Sequence, residues 1–279
     1  MRALLVLNPH SRRGRQFRDV VRTELRRSGI EFVDDAGATA LDAIVVAGGD
    51  GTLARTIGLA LQRNLPIGLV PLGTFNDLAR TLSIPADIRE ACALIASGAT
   101  RSIDVARVNA AYYVNEASIG VSSRLTRLQK TRDKQRFGLL SILVSGFNAI
   151  GYLRPFHAEI EYDGKRERLK TVQLTVANSN HFGGFITVED AALDDGWLDL
   201  YSVDVDRFTR LVSLANAVLA GKRQAADGVR TYRSRAFGVH TQRPHRITAD
   251  GEPAGTTPAQ FEVLHKALRV FVAPAAEGR

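Results

Sequence analysis

Five apolar residues, Ala43 to Ala47 (AIVVA), run without a break into Gly48-Gly49-Asp50-Gly51-Thr52, and a helical pattern follows from Thr52 to Gln62. An unbroken apolar strand is one buried on both faces, as in a parallel sheet covered by helices. Glycines at the strand end let backbone N–H groups close around an anion at the start of the next helix. This order therefore points to an α/β sheet with its ligand at the carboxyl ends of the strands. It recurs downstream, where Ile67 to Val70 reads as a strand, Pro71-Leu72-Gly73-Thr74-Phe75-Asn76-Asp77 as the turn, and Asn76 to Leu82 as a short helix closed by Ile84-Pro85. A third turn, Asn8-Pro9-His10-Ser11, follows the strand Ala3 to Leu7 and points to the same edge. Arg12 to Ser28 reads as a basic amphipathic helix with Phe17, Val20, Val21 and Leu25 on one face, and Ile88 to Ser97 as another helix.

The turns suit phosphate. Gly48, Gly49, Gly51 and Gly73 allow close backbone approach, while Thr52 either caps its helix or donates to a phosphate oxygen. Thr74, Asn76 and Asp77 either reach a ligand or cap the second helix. Asp50 is the odd member, because a carboxylate beside phosphates is repulsive unless Mg²⁺ or a transferable proton lies between them. The chain has neither the GxxxxGK[ST] pattern of P-loop enzymes nor the GxGxxG of a Rossmann dinucleotide site.

The second half changes character. Arg101 to Val108, Ala111 to Asn115, Phe156 to Tyr162, Lys170 to Ala177, Leu198 to Val203, Ala236 to His240, Arg246 to Ala249 and Leu268 to Val272 read as strands. Asp163-Gly164, Asp227-Gly228 and Asp250-Gly251 mark turns between them, and Val121 to Gly151 and Arg207 to Ala220 read as helical. The expectation is an α/β N-terminal nucleotide-binding domain over residues 1–106, with a parallel sheet and flanking helices. A β-rich, sandwich-like C-terminal domain with inserted helices follows over 107–279.

Several classes are excluded. Cys92 is the only cysteine, so no disulfide forms within the chain, and neither zinc spacing nor a Ser/His/Asp or HExxH pattern appears. The uncharged, largely apolar run Gly138 to Leu153 would rise only about 24 Å as a helix, short of a bilayer core of roughly 30 Å. The net charge of +8 rests on 31 arginines and 6 lysines, which suits an anionic partner. No recognition helix, zinc finger or aromatic RNA-binding signature supports nucleic acid. The arginines gather in the first helix and in Arg124 to Arg136, ahead of the apolar run. That second segment fits either an anionic membrane surface or a solvated helix face.

Taken together, Asn8-Pro9, the GGDGT at 48–52 and the PLGTFND at 71–77 resemble the diacylglycerol kinase catalytic-domain family, which includes bacterial lipid kinases and sphingosine and ceramide kinases. The resemblance continues through Ser102-Ile103-Asp104-Val105, the segment Tyr113 to Gly120, Leu193-Asp194-Asp195-Gly196-Trp197-Leu198-Asp199 and Asp250-Gly251-Glu252-Pro253. It implies transfer of the ATP γ-phosphate to a lipid hydroxyl, on a fold shared with NAD kinases and with the active site in the cleft between the two domains. By the same resemblance, Asn8, Gly48 to Thr52, Gly73, Thr74 and Asn76 would bind the nucleotide. Asp50 would lie near the γ-phosphate and Mg²⁺, and Asp104 would help organise the site. Asp250 or Glu252 would supply the general base, and Asp195 with the carbonyls of Ala192 and Trp197 would hold a structural Mg²⁺.

The chemistry agrees, since a positioned carboxylate can take the proton of a lipid hydroxyl as the phosphoryl group moves. Read alone, Asp-Gly-Glu is more often a plain hairpin turn. The chain departs from the family in three places. Ile30 to Val33 runs almost directly into AIVVA, leaving Thr39 as the candidate adenine contact; Phe75 replaces a usual glycine; and His181-Phe182-Gly183-Gly184-Phe185 lines either the acceptor site or a domain interface. The expected partners are a lipid substrate and an anionic membrane, met peripherally from the cytoplasm, with a homodimer left open. An NAD kinase-like enzyme and a catalytically idle nucleotide- or lipid-binding regulator are the competing readings.

Overall fold

A computed structural model describes residues 1–8, 11–120, 155–178, 181–182, 186–187, 192–204 and 229–274. The N-terminal region runs β1 (Arg2–Leu7), α1 (Arg12–Arg27), β2 (Glu31–Val33), β3 (Ala43–Gly48), α2 (Asp50–Arg63), β4 (Ile67–Pro71), α3 (Asp77–Thr81), α4 (Ile88–Ser97) and β5 (Thr100–Val108). The rest is β6 (Ala111–Tyr113), β7 (Glu116–Gly120), β8 (Phe156–Tyr162), β9 (Lys165–Ala177), a small ladder of β10 (His181–Phe182) with β11 (Ile186–Thr187), and β12 (Leu198–Asp204). It closes with β13 (Val229–Ser234), β14 (Ala236–Thr241), β15 (Arg246–Ala249), β16 (Glu252–Thr256) and β17 (Ala259–Phe271).

Strands β2, β1, β3 and β4 lie side by side and parallel. Period-two alternation divides their side chains between two layers of helix. Ala3, Leu5, Ala43, Val45 and Ala47 pack with Val21, Leu25, Ala91, Cys92 and Ile95 of α1 and α4. Leu4, Ile44 and Val46 pack with Leu53, Ile57 and Ala60 of α2. Burial on both faces explains why AIVVA carries no polar residue. The helix boundaries follow local chemistry: Ser11 Oγ caps α1 by accepting from Gly14 N–H at 2.9 Å, and Asp87 caps α4 through Glu90 N–H at 3.0 Å. The Gly98 left-handed conformation (φ 78°) ends α4.

The β-rich region is antiparallel and shares a mixed sheet with the N-terminal strands. β17 joins them: it pairs parallel with β4 at Val270–Ile67, antiparallel with β5 along its length, and antiparallel with β14. The expected boundary at 106/107 thus falls inside β5, whose ladder partner belongs to the far end of the chain. Tyr113, Ile119, Ile160, Leu174, Leu200, Phe237 and Phe261 form the core of this region.

Two of the expected strands change for reasons the contacts supply. The run expected over Ala111 to Asn115 stops at Tyr113, because the next three N–H groups bond to a side chain (below) and β7 then starts at Glu116. The strand expected from Leu268 is the tail of the longer β17, whose register slips between Leu264 and Leu268 where Lys266 takes φ 50°. Residues 34–42 hold no helix, and Arg63 ties them down through the carbonyls of Ala36 at 2.7 Å and Ala38 at 3.0 Å. The helices expected over Val121 to Gly151 and Arg207 to Ala220, the basic segment at 124–136, the apolar run at 138–153 and the turn Asp227-Gly228 lie outside the described residues.

Candidate active site

The two glycine turns meet, as their positions after neighbouring strands predict. Gly48 C=O accepts from Leu72 N–H at 2.9 Å. A Cβ built on Gly49 would lie 2.8 Å from Gly73 Cα, and one on Gly73 would lie 2.5 Å from Gly49 Cα. Only glycine at both positions lets the two backbones touch. Asn76 sits at φ 51° and clips the second turn, accepting from Gly73 N–H at 2.9 Å and donating to Gly73 C=O at 3.1 Å. Asn8 follows directly on the Leu7–Ala47 strand pair, which sets it beside Gly48; Pro9 and His10 lie outside the described residues.

Asp50 holds the turns together. Its carboxylate accepts Asn76 N–H at 3.0 Å and Asp77 N–H at 2.9 Å, closing the open start of α3. Burial, then the Asp77 charge, raise its pKa against those N–H bonds. Asp77 Oδ1 is buried without a hydrogen-bond partner among the described residues, and Arg80 Nη2 stands 3.4 Å away. Thr52 does not cap α2, whose N-cap is Gly49; its hydroxyl side packs on Gly48, where a Cβ would come within 2.6 Å of Oγ1. Thr74 is exposed, and Phe75 is 48% exposed, so its ring stands at the turn and not in the core. Arg13 of α1 reaches Gly73 C=O at 3.4 Å.

Glu252 approaches the same turn from the β-rich region. Its Oε1 lies 2.6 Å from where a Cβ on Gly51 would stand, and 3.6 Å from Arg55 Nη1, one helical turn further along α2. Asp250, two residues earlier, has a different job. Its carboxylate accepts Val114 N–H at 2.8 Å and the N–H groups of Asn115 and Glu116 at 3.0 Å, and its own N–H bonds to Glu116 C=O at 2.9 Å. Burial pushes its pKa up to about 6, against the pull of those three donors. On the segment it holds, the buried Asn115 carboxamide has no hydrogen-bond partner among the described residues.

Asp104 is fully buried, and its carboxylate is taken up by other partners. It accepts Gly196 N–H and Lys266 N–H at 2.6 Å and meets His265 Nδ1 at 2.9 Å, tying β5 to the 193–196 turn and the β17 bulge. Asp195 is occupied by protein donors. Arg233 Nη2 pairs with its Oδ2, Trp197 N–H bonds to Oδ1 at 3.0 Å, and Ala192 N–H approaches Oδ2 at 3.4 Å. A divalent ion would have to displace a guanidinium here, so the residues as arranged do not fit the Mg²⁺ that the resemblance implies at this turn.

The site residues expected from sequence thus separate into two groups. Asn8, Gly48 to Thr52, Gly73 to Asn76 and Glu252 converge, whereas the carboxylates of Asp104 and Asp195 bond to the 192–197 turn, the β17 bulge and Arg233. Sequence reading passed over Arg55, although its spacing of four from Gly51 sets both on one helix face. It also missed Arg233 and His265, for which no local pattern exists. Thr39 is exposed in the 34–42 turn, and of the HFGGF segment only the backbone strand His181–Phe182 is described.

Comparison with known proteins adds the following. Residues 7–108 match the diacylglycerol kinase catalytic domain, and residues 115–272 match the YegS C-terminal NAD kinase beta sandwich-like domain. A diacylglycerol kinase of Bacillus subtilis (strain 168) is 32% identical over 242 residues, spanning 85% of this chain and 80% of that protein. One of Staphylococcus aureus (strain Newman) is 29% identical over 233 residues, spanning 82% and 74%. The crystal structure of a diacylglycerol kinase from Bacillus anthracis (strain Sterne) shares the fold with a TM-score of 0.72 at 22% identity, over 98% of this chain and 97% of that one. An NAD kinase from Archaeoglobus fulgidus, solved in complex with ATP, has a TM-score of 0.53 at 14% identity, over 97% and 93%.

Proposed function

The chain belongs to the diacylglycerol kinase catalytic-domain family, and from that premise we propose that it transfers the γ-phosphate of ATP to a lipid hydroxyl, with diacylglycerol the foremost acceptor. The observation that carries this reading is the meeting of Glu252 with Gly51. It brings a carboxylate from the β-rich region to the first turn of α2, where N–H groups and the helix dipole favour phosphate.

ATP enters with its phosphates on the paired glycine turns, Gly48 to Thr52 and Gly73 to Asn76. Asp77, whose Oδ1 lacks a hydrogen-bond partner among the described residues, would hold with Asp50 the Mg²⁺ that accompanies ATP, which would neutralise charge on the phosphoryl group. Glu252 accepts the proton of the lipid hydroxyl as its oxygen attacks the γ-phosphorus, and ADP departs. Glu252 is the better base because both oxygens of Asp250 are filled by backbone donors, which leaves Asp250 to position residues 114–116 and the turn itself. Asn115, buried and without a partner among the described residues, offers a donor and an acceptor to the polar head of the acceptor lipid.

Access to lipid is peripheral in this reading. Among the described residues no helix is long and apolar enough to cross a membrane. Arg12, Arg15, Arg18, Arg26 and Arg27 of α1 are exposed, and a basic helix of this kind favours an anionic leaflet.

The test offers γ-labelled ATP and Mg²⁺ with diacylglycerol, phosphatidylglycerol, sphingosine or NAD. Label in a lipid supports the proposal, and label only in NADP replaces it with an NAD kinase-like reading. Nucleotide binding with no label in any acceptor points to the idle regulator.

A further inference from the structure

Four carboxylates crowd the corner where β5 meets the turn ahead of β12: Asp104, Asp194, Asp195 and Asp199. Each has a cationic or N–H partner from the protein itself. Arg101 Nη2 meets Asp194 Oδ1 at 2.9 Å. His265 and two backbone N–H groups fill Asp104. Arg233 serves the other two, pairing with Asp195 through Nη2 and standing 3.7 Å from Asp199 Oδ1 through Nε. Strand register brings it there, since β12 and β13 set Asp199 and Arg233 directly opposite one another. The planar guanidinium presents separate N–H groups to two carboxylates four residues apart, which an ammonium on a flexible stem does poorly. Arg235, two residues on, lies over the exposed ring of Trp197 at 5.2 Å and covers the same turn.

We infer that the Arg233 guanidinium is the resident cation of the Asp195 turn, so that the fold of this corner in this chain is held without a divalent ion. The donor set argues the same way. Ala192 and Trp197 turn their N–H groups toward Asp195, and together with the guanidinium they fill both of its oxygens. The inference is independent of the phosphoryl-transfer reading, because it concerns stability and not turnover.

The experiment follows thermal unfolding of the nucleotide-free full chain in chelator and in millimolar Mg²⁺. Wild type should show the same Tm in both. Arg233→Gln should lower Tm in chelator by roughly 3–8 °C, and Mg²⁺ should restore part of that loss, because Asp195 and Asp199 then become free to ligate. A loss that Mg²⁺ does not restore still assigns the hold on the turn to the guanidinium. A wild-type Tm that falls in chelator and recovers with Mg²⁺, with Asp195→Asn abolishing the response, overturns the inference. A response that survives Asp195→Asn arises elsewhere and leaves Arg233 in place. An Arg233→Gln variant as stable as wild type in both buffers also overturns it. Should that variant not fold, the wild-type and Asp195→Asn comparison decides alone.

Discussion

Glu252 Oε1 stands where a side chain on Gly51 would begin, 2.6 Å from the position of its Cβ. The glycine of the first turn is therefore needed twice, for the backbone around phosphate and for the carboxylate that reaches over it. Glu252→Gln should cut kcat by about 10²-fold, the scale of losing a general base, and leave nucleotide affinity unchanged. Gly51→Ala should push the carboxylate aside and cost a similar factor. In steady-state assays the double variant should be little worse than either single one, since both changes remove the same contact. Multiplying losses would separate Gly51 from Glu252.

Asp250→Asn should act through the fold. Asparagine keeps one acceptor oxygen and turns an NH₂ group toward three N–H donors, which costs about 1–3 kcal/mol near neutral pH. Glu252→Gln, in a half-exposed position, should change stability by less than about 0.5 kcal/mol. Denaturant titration of both variants makes the comparison.

The pH dependence has a definite sign. The folded pKa of Asp250 is pushed up to about 6 from its ordinary 3.8, so between these values the folded protein keeps a proton that the unfolded chain has lost. Its contribution to stability falls as pH rises through that window and is constant above it. The stability gap between wild type and Asp250→Asn should be widest near the lower value and narrow toward the upper one. A gap that widens with rising pH would contradict the burial of this carboxylate.

Asp50→Asn leaves one of two backbone N–H groups, Asn76 or Asp77, without its acceptor. The second turn should loosen from the first, with faster amide exchange over residues 73–78. Nucleotide binding should weaken roughly 5- to 150-fold, the equivalent of about 1–3 kcal/mol. Unchanged exchange there would mean that Asp50 does not hold the turn.

Reversing the charge of Arg12, Arg15 and Arg18 on α1 should weaken binding to anionic vesicles about 10²-fold, at about 1 kcal/mol for each arginine near the surface. Binding of wild type should fall with added salt. Vesicle binding that depends on neither anionic lipid nor salt would remove the membrane role from α1.

Much of the α/β part was legible because its signals are local. AIVVA is apolar throughout since helices cover both faces, and Ile88–Ser97 carries its own Asp87 cap and Gly98 stop. The glycine turns were legible for the same reason, and their convergence followed from strand order. What escaped depends on contacts far apart in sequence. Asp250 ends β6 from 136 residues away by taking Val114 N–H, and nothing around Ala111–Tyr113 announces it. β17 closes a ladder with both halves of the chain, so a boundary drawn by composition had no means of finding it. The family resemblance implies a metal at the Asp195 turn, and only strand register, which places Arg233 upon it, shows otherwise.

Phosphate transfer with the diacylglycerol acceptor tests the central claim most directly. Purified wild type and Glu252→Gln are given diacylglycerol, Mg²⁺ and γ-labelled ATP, and the label is followed into lipid. The account predicts labelled phosphatidic acid with wild type and a rate about 10²-fold lower with the variant. Equal rates for the two proteins, or label that enters NADP and no lipid, would contradict it.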